Sequence, residues 1–254
     1  MTVALADTRG DRGAEDVVYA IGDIHGCYSQ MVALLDRIVA DVGREPGEPG
    51  GGARATLVFL GDYVDRGPAS AEVLTGLIWM SRHSPLSTIF LKGNHEQVML
   101  DFIRDPVPHA QWLRFGGDAT LRSYGVDVPD EPGAADAVRL RDDLVDRLPA
   151  SHLEFLRRLE LFHEDDRHIF VHAGIRVGVP MAKQHAEDLL WIREGFLEER
   201  RPGRKRVVHG HTWLGDKPMV LPHRIGVDTG TYETGVLTAA KLQGDAVDFL
   251  STAD

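Results

Sequence analysis

The chain has 254 residues, 43% apolar and 26% charged, an ordinary balance for a globular enzyme and enough for one large domain. Its formal net charge of -11, from 39 acidic and 28 basic side chains, argues against duplex nucleic acid or an anionic membrane as a partner. A single cysteine, Cys27, excludes an intramolecular disulfide, and no stretch approaches the length of a membrane span.

Residues 1–16, MTVALADTRGDRGAED, are polar and glycine-spotted and lack a secretory apolar core, which predicts a flexible tail and a cytoplasmic location. Val17–Ile21 is the first predicted strand, and Gly22–Asp23–Ile24–His25–Gly26 follows it at once. Asp23 and His25 lie two apart, which fits either a capped helix start or two polar groups turned to one side of an extended segment. Met31, Leu34, Leu35, Ile38 and Val39 then recur at helical spacing and predict an amphipathic crossover helix. Gly43–Gly52 is rich in glycine and proline and predicts an exposed loop.

A second strand, 56–60, stops at Gly61 and is followed by Asp62, Asp65 and Arg66. After a predicted helix over Ser70–Arg82, a third strand, 87–91, runs into Gly93, Asn94, His95 and Glu96. Open α/β sheets build their sites at the carboxyl ends of strands. Carboxylate, amide and imidazole together suit borderline or hard divalent metals, and arginine suits a phosphate. The β-α-β-α-β order predicts parallel pairing in a layered α/β domain. A helix from His95 to about Arg104 should end before Asp105–Pro106.

Residues 105–158 change character, with an aromatic and glycine-rich patch (Trp112, Phe115, Gly116, Gly117, Tyr124) and predicted helices over Ala134–Leu148 and Ser151–Leu159. They read as a helical insertion or lid within one domain spanning 17–254, the aromatics packing on the main core in preference to stacking on a substrate. Glu160–His163 and His168–His172 then read as a hairpin whose second strand runs into Ala173–Gly174. Leu189–Arg193 reads as helical. The run Arg200, Arg201, Arg204, Lys205, Arg206 is either a solvated loop or a collector of anions. Val207–Thr212 is a further strand, ending in His209–Gly210–His211. Ile225–Asp228, Gly235–Leu242 and Val247–Leu250 alternate as antiparallel strands would.

Five strand ends thus carry GDIHG, GDYVDRG, GNHE, HAG and GHT, in that order. The set resembles the phosphoprotein-phosphatase family of calcineurin-like metallophosphoesterases, in particular its small bacterial and phage serine/threonine phosphatases. The resemblance spans about residues 17–242. It implies an α/β fold, a β-sandwich of two mixed sheets flanked by helices, with a dinuclear metal centre at one end. Asp23 and His25 match ligands of the first metal, Asp62 the carboxylate bridging both, and Asn94, His172 and His211 ligands of the second. A bridging position needs a carboxylate, because an imidazole has one free lone pair to give. His95 matches the general acid and Asp65 the carboxylate that orients it, while Arg66, Asn94 and Arg193 match groups that hold the phosphate. Glu96 is no ligand in the pattern and is read as beginning its helix. Cys27 is read as a small buried helix residue and His209 as structural. Tyr232 is read either as a neighbour of the substrate or as a packing residue. Related metallophosphoesterases often carry Gly-His-x-His, and here Trp213 stands at its last histidine, which points back to the phosphatase branch.

The implied activity is hydrolysis of a phosphomonoester by a metal-bridging hydroxide, on phosphoserine or phosphothreonine in a protein or peptide. The implied cofactors are two divalent ions, manganese in first place, with iron or zinc as other fits to mixed nitrogen and oxygen ligands. The alternative is a symmetrical diadenosine-tetraphosphate hydrolase acting on a nucleotide. A catalytically silent phosphate-binding module is disfavoured by the complete ligand set.

Overall fold

The computed structural model describes residues 16–43, 55–201 and 203–253. The predicted tail and the Gly/Pro-rich loop fall, but for Asp16 and Gly43, outside the described residues. The chain begins β1 (Val17–Ile21), α1 (Tyr28–Val42), β2 (Ala55–Phe59), α2 (Ser70–His83), β3 (Ser87–Phe90), α3 (Asn94–Arg104). A short 3-10 helix (Ala110–Arg114), α4 (Gly117–Ser123), α5 (Ala137–Arg147) and α6 (Ala150–Arg158) follow. The second half runs β4 (Phe162–Glu164), β5 (His168–Val171), a 3-10 turn, α7 (Ala186–Trp191), β6 (Arg206–His209), β7 (Met219–Val220) and β8 (Arg224–Gly226). It closes with α8 (Thr231–Thr234), β9 (Thr238–Gln243) and β10 (Ala246–Ser251).

Among the described residues the strands form two five-stranded mixed sheets, ordered β10-β9-β1-β2-β3 and β4-β5-β6-β8-β7. The alternation of side chains along a strand divides the first sheet between two cores. Val17, Tyr19, Ile21, Leu57 and Phe59 face α1 and α2, whose apolar stripes supply Met31, Leu34, Ile38, Val73, Leu74 and Leu77. Ala20, Val58 and Ala240 face the opposite way and meet Phe170, Val208 and Ile225 of the second sheet. The sandwich joint is therefore apolar. Each Val, Leu, Ile or Phe so buried contributes about 1.5–3 kcal/mol.

β1, β2 and β3 pair in parallel, as the order of elements implies. The β4–β5 hairpin forms two residues later than the sequence pattern suggests, because Glu160 is drawn into a parallel bridge with Leu91 at the end of β3. Two expectations need correction. The strand at Ile225 is not part of an antiparallel run, since β8 pairs in parallel with β6 and antiparallel only with the two-residue β7; the antiparallel pattern holds for β9 and β10. The predicted helix ending in Arg193 stops at Trp191, with Ile192 already extended, so Arg193 lies in the loop beyond it.

In residues 105–158 α5 is shorter than the predicted 134–148, and α6 is the predicted helix shifted by one residue; the apolar faces of this region join the main cluster, where Trp112, Leu113, Leu121, Leu140, Leu144 and Leu156 sit with the residues of α1 and α2. Packing is thus the role of most of the aromatic patch. Phe115 departs from it, being 59% exposed.

Candidate active site

The carboxyl ends of β1, β2, β3, β5 and β6 converge on one side of the sandwich, and every site residue named from the sequence is delivered there by one of them except Arg193, which arrives from the loop after α7. The turns are tight. All five non-glycine residues with left-handed backbone among those described are in this set: His25, Asp62, Asp65, Arg66 and His211, with φ between 46° and 75°. A side chain at Gly210 would overlap the Asp23 carboxylate, which explains a glycine before His211. The Asp23 carboxylate accepts the His211 N–H at 3.0 Å, joining the first strand end to the last.

Asp62 is the centre. Its Oδ2 lies 3.5 Å from His25 Nε2 and its Oδ1 3.5 Å from His172 Nε2. His25 and His172 each place Nδ1 2.9 Å from a backbone carbonyl, of Val64 and Leu60. With those protons donated, both Nε2 lone pairs point at carboxylate oxygens. His172 Nε2 is also 2.8 Å from Asn94 Oδ1. Lone pairs facing one another across such gaps fit cations placed between them. Two triangles of donor atoms, each within 4.8 Å, share Asp62: His25–Asp62–His95 and Asp62–His172–His211.

The charge balance points the same way. Burial first, then the carboxylates of Asp228 and Asp62, raise Asp23 well above the usual carboxylate range. Burial also works against the Asp62 anion, but His172, His95 and His25 more than offset it and hold Asp62 well below that range. Burial pushes His25 down to about 3, Asp62 only partly opposing it, and burial pushes His211 likewise to about 3. Neutral imidazoles around crowded carboxylates form a donor set suited to divalent metal.

His95 behaves differently. Burial disfavours its cation, yet Asp62 and then Asp65 outweigh that and raise it to about 9. Its Nδ1 is 2.6 Å from Asp65 Oδ2, and its Nε2 is 3.9 Å from Asp62 Oδ2. Arg66 reaches its Nε2 at 3.3 Å and lays its guanidinium 4.4 Å above the Tyr232 ring. Tyr232 therefore faces the site; it lies in α8, not at a strand end. Arg193 is exposed at the rim, its Nη2 3.4 Å from the His211 carbonyl. These groups open into a cavity of about 1000 Å³.

Several residues of the cavity were not named as site residues from the sequence. Asp228 lines the cavity and bears on Asp23. Its signal was present, a polar residue and glycine after Ile225–Gly226, in the same idiom as the other strand ends. Arg114, Phe115 and Trp191 also line the cavity; Phe115 belongs to the aromatic patch read as packing, and Arg114 carried no local signal. Glu96, expected to begin α3, does so by accepting the Gly93 N–H at 2.8 Å, and it also receives the Asp62 and Tyr63 N–H groups at 2.9 and 2.7 Å, so it braces the Asp62 turn as well.

A two-sheet sandwich whose strand ends gather two donor triangles around a shared carboxylate defines a metallophosphoesterase. The sequence profile of the calcineurin-like phosphoesterases matches residues 17–233, and the chain belongs to that family. It is 29% identical over 234 residues to Serine/threonine-protein phosphatase 1 of Salmonella typhimurium, covering 89% of this chain and 92% of that protein. It is 24% identical over 247 residues to the asymmetrical Bis(5'-nucleosyl)-tetraphosphatase PrpE of Halalkalibacterium halodurans, covering 91% of each. A symmetrical Bis(5'-nucleosyl)-tetraphosphatase of Methylobacillus flagellatus is 31% identical over 157 residues, 62% of this chain and 43% of that one. Among solved structures, a cold-active protein-tyrosine phosphatase from Shewanella shares the fold with a TM-score of 0.58 at 17% identity, covering 93% of this chain and 78% of its own.

Proposed function

We propose that the protein is a metal-dependent phosphomonoesterase acting on phosphoserine and phosphothreonine in proteins or peptides. The observation that carries this reading is the His95–Asp65 pair beside Asp62. A serine or threonine alkoxide is a poor leaving group and needs a proton as it departs. An imidazolium held at Nδ1 by a buried carboxylate, with Nε2 turned toward the reacting region, supplies one. A nucleotide leaving group departs as a phosphate and needs that proton far less.

Asp23, His25 and Asp62 would hold one divalent ion, and Asp62, Asn94, His172 and His211 the other; manganese, iron and zinc all suit these donors. His95 shares a donor triangle with His25 and Asp62, but its Nδ1 is set 2.6 Å from Asp65, and we assign it the acid; as the imidazolium it would require Arg66, now 3.3 Å from Nε2, to turn toward the phosphate. When bound, the ions supply charge neutralisation of the phosphoryl oxygens and a nucleophile at neutral pH. Arg66 and Arg193 flank the same space and would grip the non-reacting oxygens, with Asn94 beside them. Phosphate binding there would set the ester oxygen against His95 Nε2.

The second reading is a dinucleoside-polyphosphate hydrolase. It is favoured by the full-length likeness to the asymmetrical enzyme and by a cavity wider than a phosphoserine requires. The test is kcat/KM for a phosphoserine peptide against a dinucleoside tetraphosphate, with the same protein and manganese. Our reading expects the peptide to be the better substrate; the reverse order would replace it with the second.

A further inference from the structure

Asp65 orients the acid, and the structure shows what orients Asp65. Its Oδ2 accepts the Trp112 indole N–H at 2.8 Å as well as the His95 ring at 2.6 Å. Its Oδ1 accepts the Thr120 hydroxyl at 2.6 Å. The Thr120 oxygen in turn accepts the Asp65 backbone N–H at 2.8 Å, so one hydroxyl grips both ends of the same residue. Asp65, Trp112 and Thr120 are each fully buried. Both partners come from the segment that follows α3, 47 and 55 residues away in sequence.

The same segment holds the next residue. The Arg66 N–H donates to the Gly116 carbonyl at 3.1 Å. Gly116 has φ 104°, and a side chain there would run into the Arg66 backbone. Asp65 and Arg66 themselves are left-handed, at φ 75° and 69°. Two consecutive residues in that region persist only where the surroundings over-determine them. Here a short 3-10 helix and the first turn of α4 do so.

We propose that residues 110–120 form a clamp for the general acid, with Trp112 and Thr120 as its positioning residues. The segment thereby acts as part of the catalytic frame and not as a lid. The carboxylate has four lone-pair sites. Trp112 and Thr120 each occupy one on opposite oxygens and so stop rotation about the Cβ–Cγ bond. Without either, the carboxylate plane swings and the His95 ring loses the direction of its Nδ1 bond. Among the described residues neither side chain hydrogen-bonds to a residue assigned to metal, their shared partner being Asp65, although Trp112 also lines the cavity.

This inference rests on His95 being the acid, and the experiment separates the two claims. Thr120→Val keeps shape and removes the hydroxyl; Trp112→Phe keeps a ring and removes the N–H. For each, kcat and KM are measured on a phosphoserine peptide and on p-nitrophenyl phosphate, whose leaving group needs little protonation, alongside metal content and thermal midpoint. Thr120→Ser and His95→Asn serve as references. Loss of a hydrogen bond to a charged group predicts a fall in kcat of about tenfold on the peptide. The fall on the aryl ester should be much smaller, with KM and metal content unchanged and activity restored in Thr120→Ser. Equal losses on both esters, a change in KM alone, or unchanged kcat would overturn the clamp. So would failure of both substitutions to fold, which would make the pair props of the core. If His95→Asn itself shows no difference between the esters, the assignment of the acid falls, and the clamp with it.

Discussion

At the scale of single residues, the site is built from side chains held in backbone conformations they do not favour. His25, Asp62, Asp65, Arg66 and His211 all sit at positive φ, at a cost of order 1–3 kcal/mol each, least for the aspartates. That strain is offset by the packed strands behind the turns. Arg193 is the exposed counterpart: among the described residues its guanidinium donates to the His211 carbonyl at 3.4 Å, and on our reading it would turn to a phosphate. Arg193→Lys should keep fold and metal but lose the planar fork, lowering kcat/KM by about tenfold or more and weakening inhibition by phosphate. A lysine variant with both constants unchanged would make Arg193 a bystander. Cys27, the lone thiol, is 9% exposed, and burial pushes it up to about 11. A thiol that is neutral at pH 8 and covered reacts slowly, so Ellman's reagent should label the native protein only after denaturant is added. Fast labelling of the folded protein would contradict this burial. The burial of Cys27 was legible in the sequence, but not its place, since it caps α1 at the residue before the helix instead of lying within it. The expected place of Arg193 on a helix was wrong, because Ile192 turns extended after only six residues of α7.

At the scale of elements, strand ends were legible and long-range packing was not. A β-run that breaks into glycine, aspartate, asparagine or histidine leaves its polar groups at the sheet's carboxyl edge whatever its neighbours do, so five such breaks located the site. The order of strands in the second sheet has no such local mark. β8 alternates like its successors, and only the tertiary pairing with β6 makes it parallel. Trp112 and Thr120 were likewise invisible as partners of Asp65, since a tryptophan beside leucine reads as core and here is both core and donor. The close fit of this region gives a prediction of sign. Gly117 begins α4, where alanine would gain about 1 kcal/mol of helix propensity. A Cβ there would press into the Trp112 ring, and overpacking typically costs about 1–3 kcal/mol. Gly117→Ala should therefore lower the urea midpoint at unchanged m-value; a variant as stable as the parent would mean that the indole shifts freely.

At the scale of the whole molecule, a chain of net charge -11 must bring anions to a cavity that already holds Asp23, Asp62 and Asp228. Arg66, Arg114 and Arg193 line the same cavity, and two bound divalent ions would turn its balance clearly positive. Metal and substrate binding should accordingly be coupled by charge. No helix among the described residues is long and apolar enough to cross a membrane. A ligand that binds only the folded state stabilises it by about 2.7 kcal/mol at a hundred times its Kd. Chelation should accordingly lower the melting temperature, and returning manganese should raise it again. The most direct measurement is elemental analysis of the purified protein and its Asp62→Asn variant, with phosphatase turnover followed through metal removal and return. A shared carboxylate predicts two ions per chain in the parent, loss of both in Asp62→Asn, and turnover that disappears with the metal and comes back with it. Full turnover in a verified metal-free sample, or an Asp62→Asn variant that keeps both ions, would contradict the dinuclear site.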